Sequence, residues 1–230
     1  AQDKIYDGTA VATLDFSGAS LQTPIGGDSV GINSSGYGAS FDNANVGINK
    51  AVTVIGVTLT GADAGNYTLS QPIGLTADIS KATPEVTVWP TASSITLGQS
   101  LADSTLSGGE ASVPGTFVFT DDSIVPGLGT YSASVTFTPT DSGNYNSVED
   151  AVDVLVDADV PEAIGIVDNG NGTVTVTFRG SPGVEYITQA TSDIADPESW
   201  SDISVDMAGE DGIWTIVDAM SGMSQRFYRA

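Results

Sequence analysis

The sequence predicts an all-β chain of tandem Ig-like, Greek-key β-sandwich domains. Three observations predict it: apolar and polar residues alternate with period 2 along many short segments, turn-forming residues separate those segments, and a five-residue motif recurs 78 residues apart.

The alternation is clearest in four stretches. Tyr131, Ala133, Val135 and Phe137 fall on one face of a predicted strand, with Ser132, Ser134, Thr136 and Thr138 on the other. Val152, Val154 and Val156 alternate with Asp153, Leu155 and Asp157. Val174, Val176 and Phe178 alternate with Thr173, Thr175 and Thr177, while Ile213, Thr215 and Val217 flank Trp214 and Ile216. Side chains leave a strand on alternate sides, so a sheet with one face on a core and one in water writes this pattern. A helix needs apolar residues at i, i+3, i+4 and i+7, and no window supplies them. Ser192–Glu198 has room for one helical turn at most. The 27 Gly and 10 Pro supply frequent turns, which keep the strands short.

The repeat is Asp63-Ala64-Gly65-Asn66-Tyr67, which recurs as Asp141-Ser142-Gly143-Asn144-Tyr145. D-x-G-x-Y has the form of a tyrosine corner, in which a Tyr starting a late strand returns its hydroxyl to nearby backbone. Asp63 and Asp141 are then expected to bond local N–H groups, Gly65 and Gly143 to permit the tight turn, and Tyr67 and Tyr145 to lock the corner. Stacking of the two tyrosines on a sugar is the functional alternative, and the structural role outweighs it. A repeat of this spacing fits one small sandwich. Ser80–Pro84 and Asp157–Glu162 are short linkers with Pro84 and Pro161 stopping a strand from running through. The expected modules are therefore residues 1–81, 82–158 and 159–230, joined as a semi-rigid rod.

Charge narrows the partners. Six Lys and Arg stand against 29 Asp and Glu, for a net charge of −23. The first module holds 3 Lys and 7 acids, the second no basic residue and 10 acids, the third 3 Arg and 12 acids. Binding nucleic acid requires clustered Lys and Arg, which are absent, so nucleic acid is excluded. Anionic membranes and sulfated glycans are disfavoured by the same repulsion. No segment approaches the ~20 apolar residues of a membrane span, so no membrane insertion is expected.

The chain has no Cys and no His. Disulfides, thiolate zinc sites and imidazole bases are thereby removed, and with them most catalytic constellations. Lys4, Lys50 and Lys81 lack the S-x-x-K spacing of Ser–Lys catalysis, and no spacing singles out a glycosidase carboxylate pair. No catalytic residue and no enzyme activity are expected. Lys4 and Lys50 are also candidates for a Lys–Asn or Lys–Asp cross-link, which would lower the intact mass by one ammonia or one water.

Calcium is the one cofactor the sequence leaves room for. Asp168-Asn169-Gly170-Asn171-Gly172 fails as an EF-hand loop, because positions 3, 5 and 12 counted from Asp168 are Gly170, Gly172 and Arg179. It reads instead as a hairpin turn between Ile164–Val167 and Thr173–Phe178, with Asn-Gly supplying positive φ. Asp157, Asp159 and Glu162 at the second linker form a looser candidate calcium site, as do Asp121 with Asp122, and Asp193, Asp196 and Glu198. For each, a solvated acidic turn is the plainer reading. Glycan binding needs an exposed aromatic platform. Trp89 and Trp214 lie inside strand patterns and read as core. Tyr37 in a glycine-rich loop and Trp200 after an acidic loop are the glycan candidates, with Tyr186 behind them.

A family resemblance adds to this. Lys4-Ile5-Tyr6-Asp7-Gly8-Thr9, Asn49-Lys50-Ala51-Val52-Thr53-Val54 and Asp63-Ala64-Gly65-Asn66-Tyr67-Thr68-Leu69 resemble the YDG-type repeats of large bacterial surface adhesins, often found beside MBG domains. Residues 81–157, with Lys81-Ala82-Thr83-Pro84 and Ile95–Leu101, resemble bacterial Ig-like repeats. The remaining residues look like a C-terminal β-module of secreted bacterial proteins, on Gly170-Asn171-Gly172-Thr173, Trp200 and Phe227-Tyr228-Arg229. The resemblance implies an extracellular, cell-surface adhesive or scaffolding role with no catalytic residues. The expected partners are neighbouring copies of the chain or other surface proteins, with a glycan as a further candidate. Exchange of Ile5–Leu14 or Ser224–Ala230 between copies would make the chain a filament subunit. The alternative is an accessory carbohydrate-binding tail of a larger secreted glycan-degrading enzyme.

Overall fold

A computed structural model describes residues 1–22, 24–220 and 222–230, and the chain is all-β. In chain order the first strands are β1 Lys4–Ile5, β2 Gly31–Asn33, β3 Gly38–Phe41, β4 Gly47–Ile55, β5 Thr58–Thr60, β6 Leu75–Ser80 and β7 Val86–Val88. There follow β8 Thr91–Ala92, β9 Ile95–Thr96, β10 Leu106–Ser107, β11 Glu110–Ala111, β12 Gly115–Phe119, β13 Gly129–Pro139 and β14 Val148–Asp157. The last are β15 Glu162–Asp168, β16 Thr173–Arg179, β17 Glu185–Thr191, β18 Ser201–Met207, β19 Ile213–Ala219 and β20 Phe227–Arg229. They build sheets in the orders β1-β6-β4-β3, β12-β13-β14-β9, β15-β16-β19 and β18-β17-β20, with two-stranded ladders β2-β5, β8-β10 and β7-β11. Helix among the described residues is limited to single 3-10 turns, and the turn allowed at Ser192–Glu198 falls at Pro197–Ser199.

The chain divides into two compact units. The first gathers Ala1–Pro90, Gly108–Val118 and Val135–Asp150; the second gathers Thr91–Ser107, Phe119–Ser134 and Ala151–Ala230.

In the first unit, alternate residues of β3, β4 and β6 supply the core: Phe41, Val52, Val54, Ala77 and Ile79 pack with Ala12 and Val57. β4 shifts register against β6 between Gly47 and Lys50, and Asn49 there takes a φ of 50°. Asn tolerates this left-handed conformation, and its N–H donates to the Asp78 carboxylate at 2.7 Å. Lys50, one residue on, reaches Asp42 at 2.9 Å and the Asn43 side-chain carbonyl at 2.8 Å. A second apolar group joins Trp89 edge-on to Phe117, with centroids 5.6 Å apart, and Phe117 to the buried Phe137 at 4.8 Å. Gly115 is required here, because a Cβ at that position would lie 2.5 Å from the Phe137 ring.

In the second unit, Ile95, Leu101, Ala133, Val154 and Val156 form one core, and β9 pairs parallel with β14 at Ile95–Val156. Val154 and Val156 are buried while Leu155 is half exposed, as the alternation predicts. The strands from β15 onward make two three-stranded sheets around a second core. Its centre is an aromatic stack: Trp214 lies parallel to Tyr186 at 4.6 Å and close to parallel with Phe178 at 5.2 Å. Phe178 and Trp214 are register partners in one sheet and Tyr186 belongs to the other, so the stack joins the layers. The hairpin expected at Asp168–Gly172 joins β15 to β16, with Gly170 and Gly172 at φ 71° and 80°.

Candidate functional site

The two copies of the repeated motif share a turn and differ in what the turn holds. In the first, Asn66 N–H donates to the Asp63 carbonyl at 3.0 Å; in the second, Asn144 N–H donates to Asp141 at 3.2 Å. Tyr67 sends its hydroxyl to the Asp28 carboxylate at 2.7 Å and accepts the Ile25 N–H at 2.8 Å. Asp63 accepts the Ser29 N–H at 2.8 Å, so Asp63 and Tyr67 together fasten residues 25–29. The Asp28 carboxylate beside it raises the Tyr67 hydroxyl above its ordinary pKa. In the second copy the hub is Asn144, which is buried. Its side-chain carbonyl accepts the Val46 N–H at 2.9 Å, and its side-chain nitrogen donates to Asp141 at 2.8 Å and Asn45 at 3.3 Å. Tyr145 bridges Ala82 and meets Tyr6 edge-on at 5.3 Å, and Lys81 donates to the Ser142 carbonyl at 2.6 Å. Gly65 and Gly143 lie in these turns, Gly65 with open space around its Cα.

The aromatic candidates are largely committed to their own fold. Tyr37 is half-buried against the first core, its ring edge-on to Phe16 at 5.1 Å and its hydroxyl accepting the Leu14 N–H at 3.2 Å. That corrects the expectation of a free platform, since the segment at residues 14–16 folds over a loop whose composition reads as exposed. Trp214 and Tyr186 are core, and Tyr186 accepts the Ser181 N–H and donates to the Asp159 carbonyl. Trp200 is half-buried, with the Arg229 guanidinium 4.3 Å above its ring. Arg229 also donates to Gln189 at 2.7 Å, and Gln189 to Asp202 at 2.7 Å, so three strands carry one polar row beside Trp200. Sequence spacing gives no sign of this row, because it is assembled by register between β18, β17 and β20.

Among the described residues no three acidic side chains are grouped to hold a metal ion. Asp157, Asp159 and Glu162 do not form such a group: all three are exposed, Asp157 and Asp159 are held by their main chains, and Glu162 opens β15. Asp157 accepts the Leu97 N–H through its carbonyl, and Asp159 donates its N–H to the Ser181 hydroxyl at 2.7 Å.

Lys4, Lys50 and Arg226 pair with acids close in sequence. Lys4 meets Asp7 at 2.7 Å and the Thr9 and Val11 carbonyls at 3.0 and 3.1 Å. The Lys4 ammonium, followed by the Thr9 N–H and hydroxyl, pulls the Asp7 carboxyl from 3.8 down to about 2. A depressed carboxyl stabilises the fold above its unfolded pKa and loses that contribution as pH falls through its folded value, so the Lys4–Asp7 pair persists at pH 4 and is lost near pH 2. Carboxylate NMR should place the Asp7 midpoint near 2, and Lys4→Met should return it toward 3.8. A wild-type midpoint near 3.8 would show the pair absent in solution.

No helix among the described residues is long and apolar enough to cross a membrane. No curated protein and no solved structure matches the chain. Residues 1–74, which hold most of the first core, the Lys4–Asp7 pair and the first motif copy, match the family model of the YDG domain.

Proposed function

We propose that the chain is a non-catalytic, extracellular structural and adhesive β-domain array at a bacterial cell surface. Its modules in this reading are residues 1–81, 82–158 and 159–230, and a self-assembling filament subunit is the strongest form of it. The observation that carries it is the seat of Asn144: a buried side chain ties the second motif copy to Asn45 and Val46 of the segment that matches the YDG domain. A spacer or scaffold needs junctions held by specific hydrogen bonds rather than loose linkers. The YDG match supports the adhesin-like setting.

The second reading is a carbohydrate-binding tail, favoured by Trp200 beside the polar row of Asp202, Gln189 and Arg229. Sedimentation and negative-stain microscopy with and without calcium, together with a glycan array, separate the two. Regular end-to-end polymers without glycan binding are the expected result. Saturable glycan binding that Trp200→Ala abolishes would overturn the structural reading in favour of the second.

A further inference from the structure

The turn from β3 to β4 sets a lysine against a side-chain amide. β4 shifts register between Gly47 and Lys50, and the Lys50 stem runs along Gly47, where a Cβ would stand 3.2 Å from its Cγ and Cδ. The Lys50 side chain is 9% exposed, and its ammonium returns to the residues just after β3. There Nζ lies 2.8 Å from Asn43 Oδ1 and 2.9 Å from Asp42 Oδ1. The other Asp42 oxygen, Oδ2, accepts from Asn43 Nδ2 at 3.2 Å. Asn43 Oδ1 accepts a second donor, the Asn45 N–H, at 3.0 Å. Lys4 and Lys81 meet an acid, a hydroxyl and main-chain carbonyls, with no side-chain amide among them.

These groups are the parts of an acyl transfer: an amine, a carbonyl carbon with a leaving nitrogen, a donor to the carbonyl oxygen, and a carboxylate touching both nitrogens. We propose that Lys50 and Asn43 join in an isopeptide bond, with Asp42 carrying protons and one ammonia lost. Asp42 takes a proton from the Lys50 ammonium, and the freed Nζ attacks Asn43 Cγ. The Nζ–Cγ bond forms, and the carbonyl pair moves onto Oδ1, where the Asn45 N–H holds it. The Cγ–Nδ2 bond then breaks. Two of the three Nζ protons have passed through Asp42 to Nδ2, which leaves as ammonium, and Asp42 ends as the carboxylate it began as. Asn43 rather than Asp42 is the electrophile. Lys50 holds the Asp42 carboxyl below its ordinary pKa, and an ionised carboxylate resists attack. An amide is also a slow electrophile, but the reaction runs once per chain, and fixed neighbours reach effective molarities on the order of 10⁵ M or more. The bond fixes the turn that presents Asn45 and Val46 to Asn144. It does not depend on the adhesive reading.

The test is the intact mass of the whole chain, followed from fresh purification at neutral pH until it is constant. It should settle one ammonia below the sequence mass. Trypsin should then fail to cut after Lys50 and leave Ile5–Lys81 as one peptide, lighter by one ammonia. Lys50→Arg keeps a cation beside Asp42 and should show its full sequence mass. Asp42→Ala should form the bond about a hundredfold more slowly. Circular dichroism checks that both variants fold, and the wild-type mass decides the matter without them. An unshifted wild-type mass overturns the proposal, as does a deficit of one water, which would put the bond on Asp42. An ammonia deficit that survives Lys50→Arg overturns it too, since an asparagine has then closed on its own main chain. So does an Asp42→Ala variant that reacts at the wild-type rate, because Asp42 would then carry no proton.

Discussion

Trp214→Ala is expected to destabilise the second unit by about 3–5 kcal/mol, the range for deleting a large buried aromatic. Trp214 is 5% exposed and sandwiched between Phe178 and Tyr186, so truncation removes the middle plate of a three-ring stack. The loss also cuts the tie between two sheets, because Tyr186 stands on the opposite layer from Trp214 and Phe178. Trp214→Phe should keep most of the stacking but forfeit the indole N–H bond to Thr188 at 3.3 Å. Thr188 is fully buried, so leaving its hydroxyl short of a partner costs about 1–3 kcal/mol. Urea unfolding followed by near-UV circular dichroism measures both. A Trp214→Ala variant within about 1 kcal/mol of wild type would mean that the stack is not the centre of this core.

Gly61→Ala should have the next largest effect, in the first unit. Gly61 has φ +111°, where L side chains are rarely found, and a Cβ there would lie 2.2 Å from the Ser29 carbonyl oxygen. Backbone strain of this kind costs about 1–3 kcal/mol, and forced displacement of a packed neighbour adds a similar amount. The neighbour is the segment that Asp63 and Tyr67 hold through Ser29, Asp28 and Ile25. Its displacement should therefore have a specific signature: the Tyr67 hydroxyl loses Asp28 and its raised pKa returns toward 10.0. Ultraviolet titration detects that change apart from the drop in stability. Unchanged stability with an unchanged Tyr67 titration would show that Ser29 moves aside without cost.

The strands were legible because burial follows side-chain alternation, which is local in sequence. Val152, Val154 and Val156 are buried where period 2 places them, and Trp214 and Phe178 likewise. What could not be read was pairing over long separations. Tyr67 finds its partners at residues 25 and 28, and Asn144 finds Val46 at 98 residues' distance. The motif announces a turn in both copies, and the sequence around it does not say which of its five residues will carry the contact. The half-burial of Tyr37 has the same origin: glycine and serine on either side describe its loop, whereas the Leu14 N–H and the Phe16 ring that meet it come from elsewhere. The row of Asp202, Gln189 and Arg229 depends on register, including a shift between Thr188 and Gln189 that composition does not encode.

Five of the six cationic side chains are engaged within the chain itself: Lys4 with Asp7, Lys50 with Asp42, Lys81 with a carbonyl, Arg226 with Asp218, and Arg229 with Gln189 and Trp200. With 29 Asp and Glu against six Lys and Arg, the charges that face solvent are almost all carboxylates, and they must be balanced by mobile counterions. In dilute buffer, where the Debye length reaches about 30 Å, each molecule carries a counterion atmosphere wide enough to hold its neighbours apart. Near 0.15 M salt that atmosphere thins to about 8 Å, and short-range surface contacts come within reach. Ionic strength therefore acts on this protein as a throttle on crowding, set by its net charge of −23.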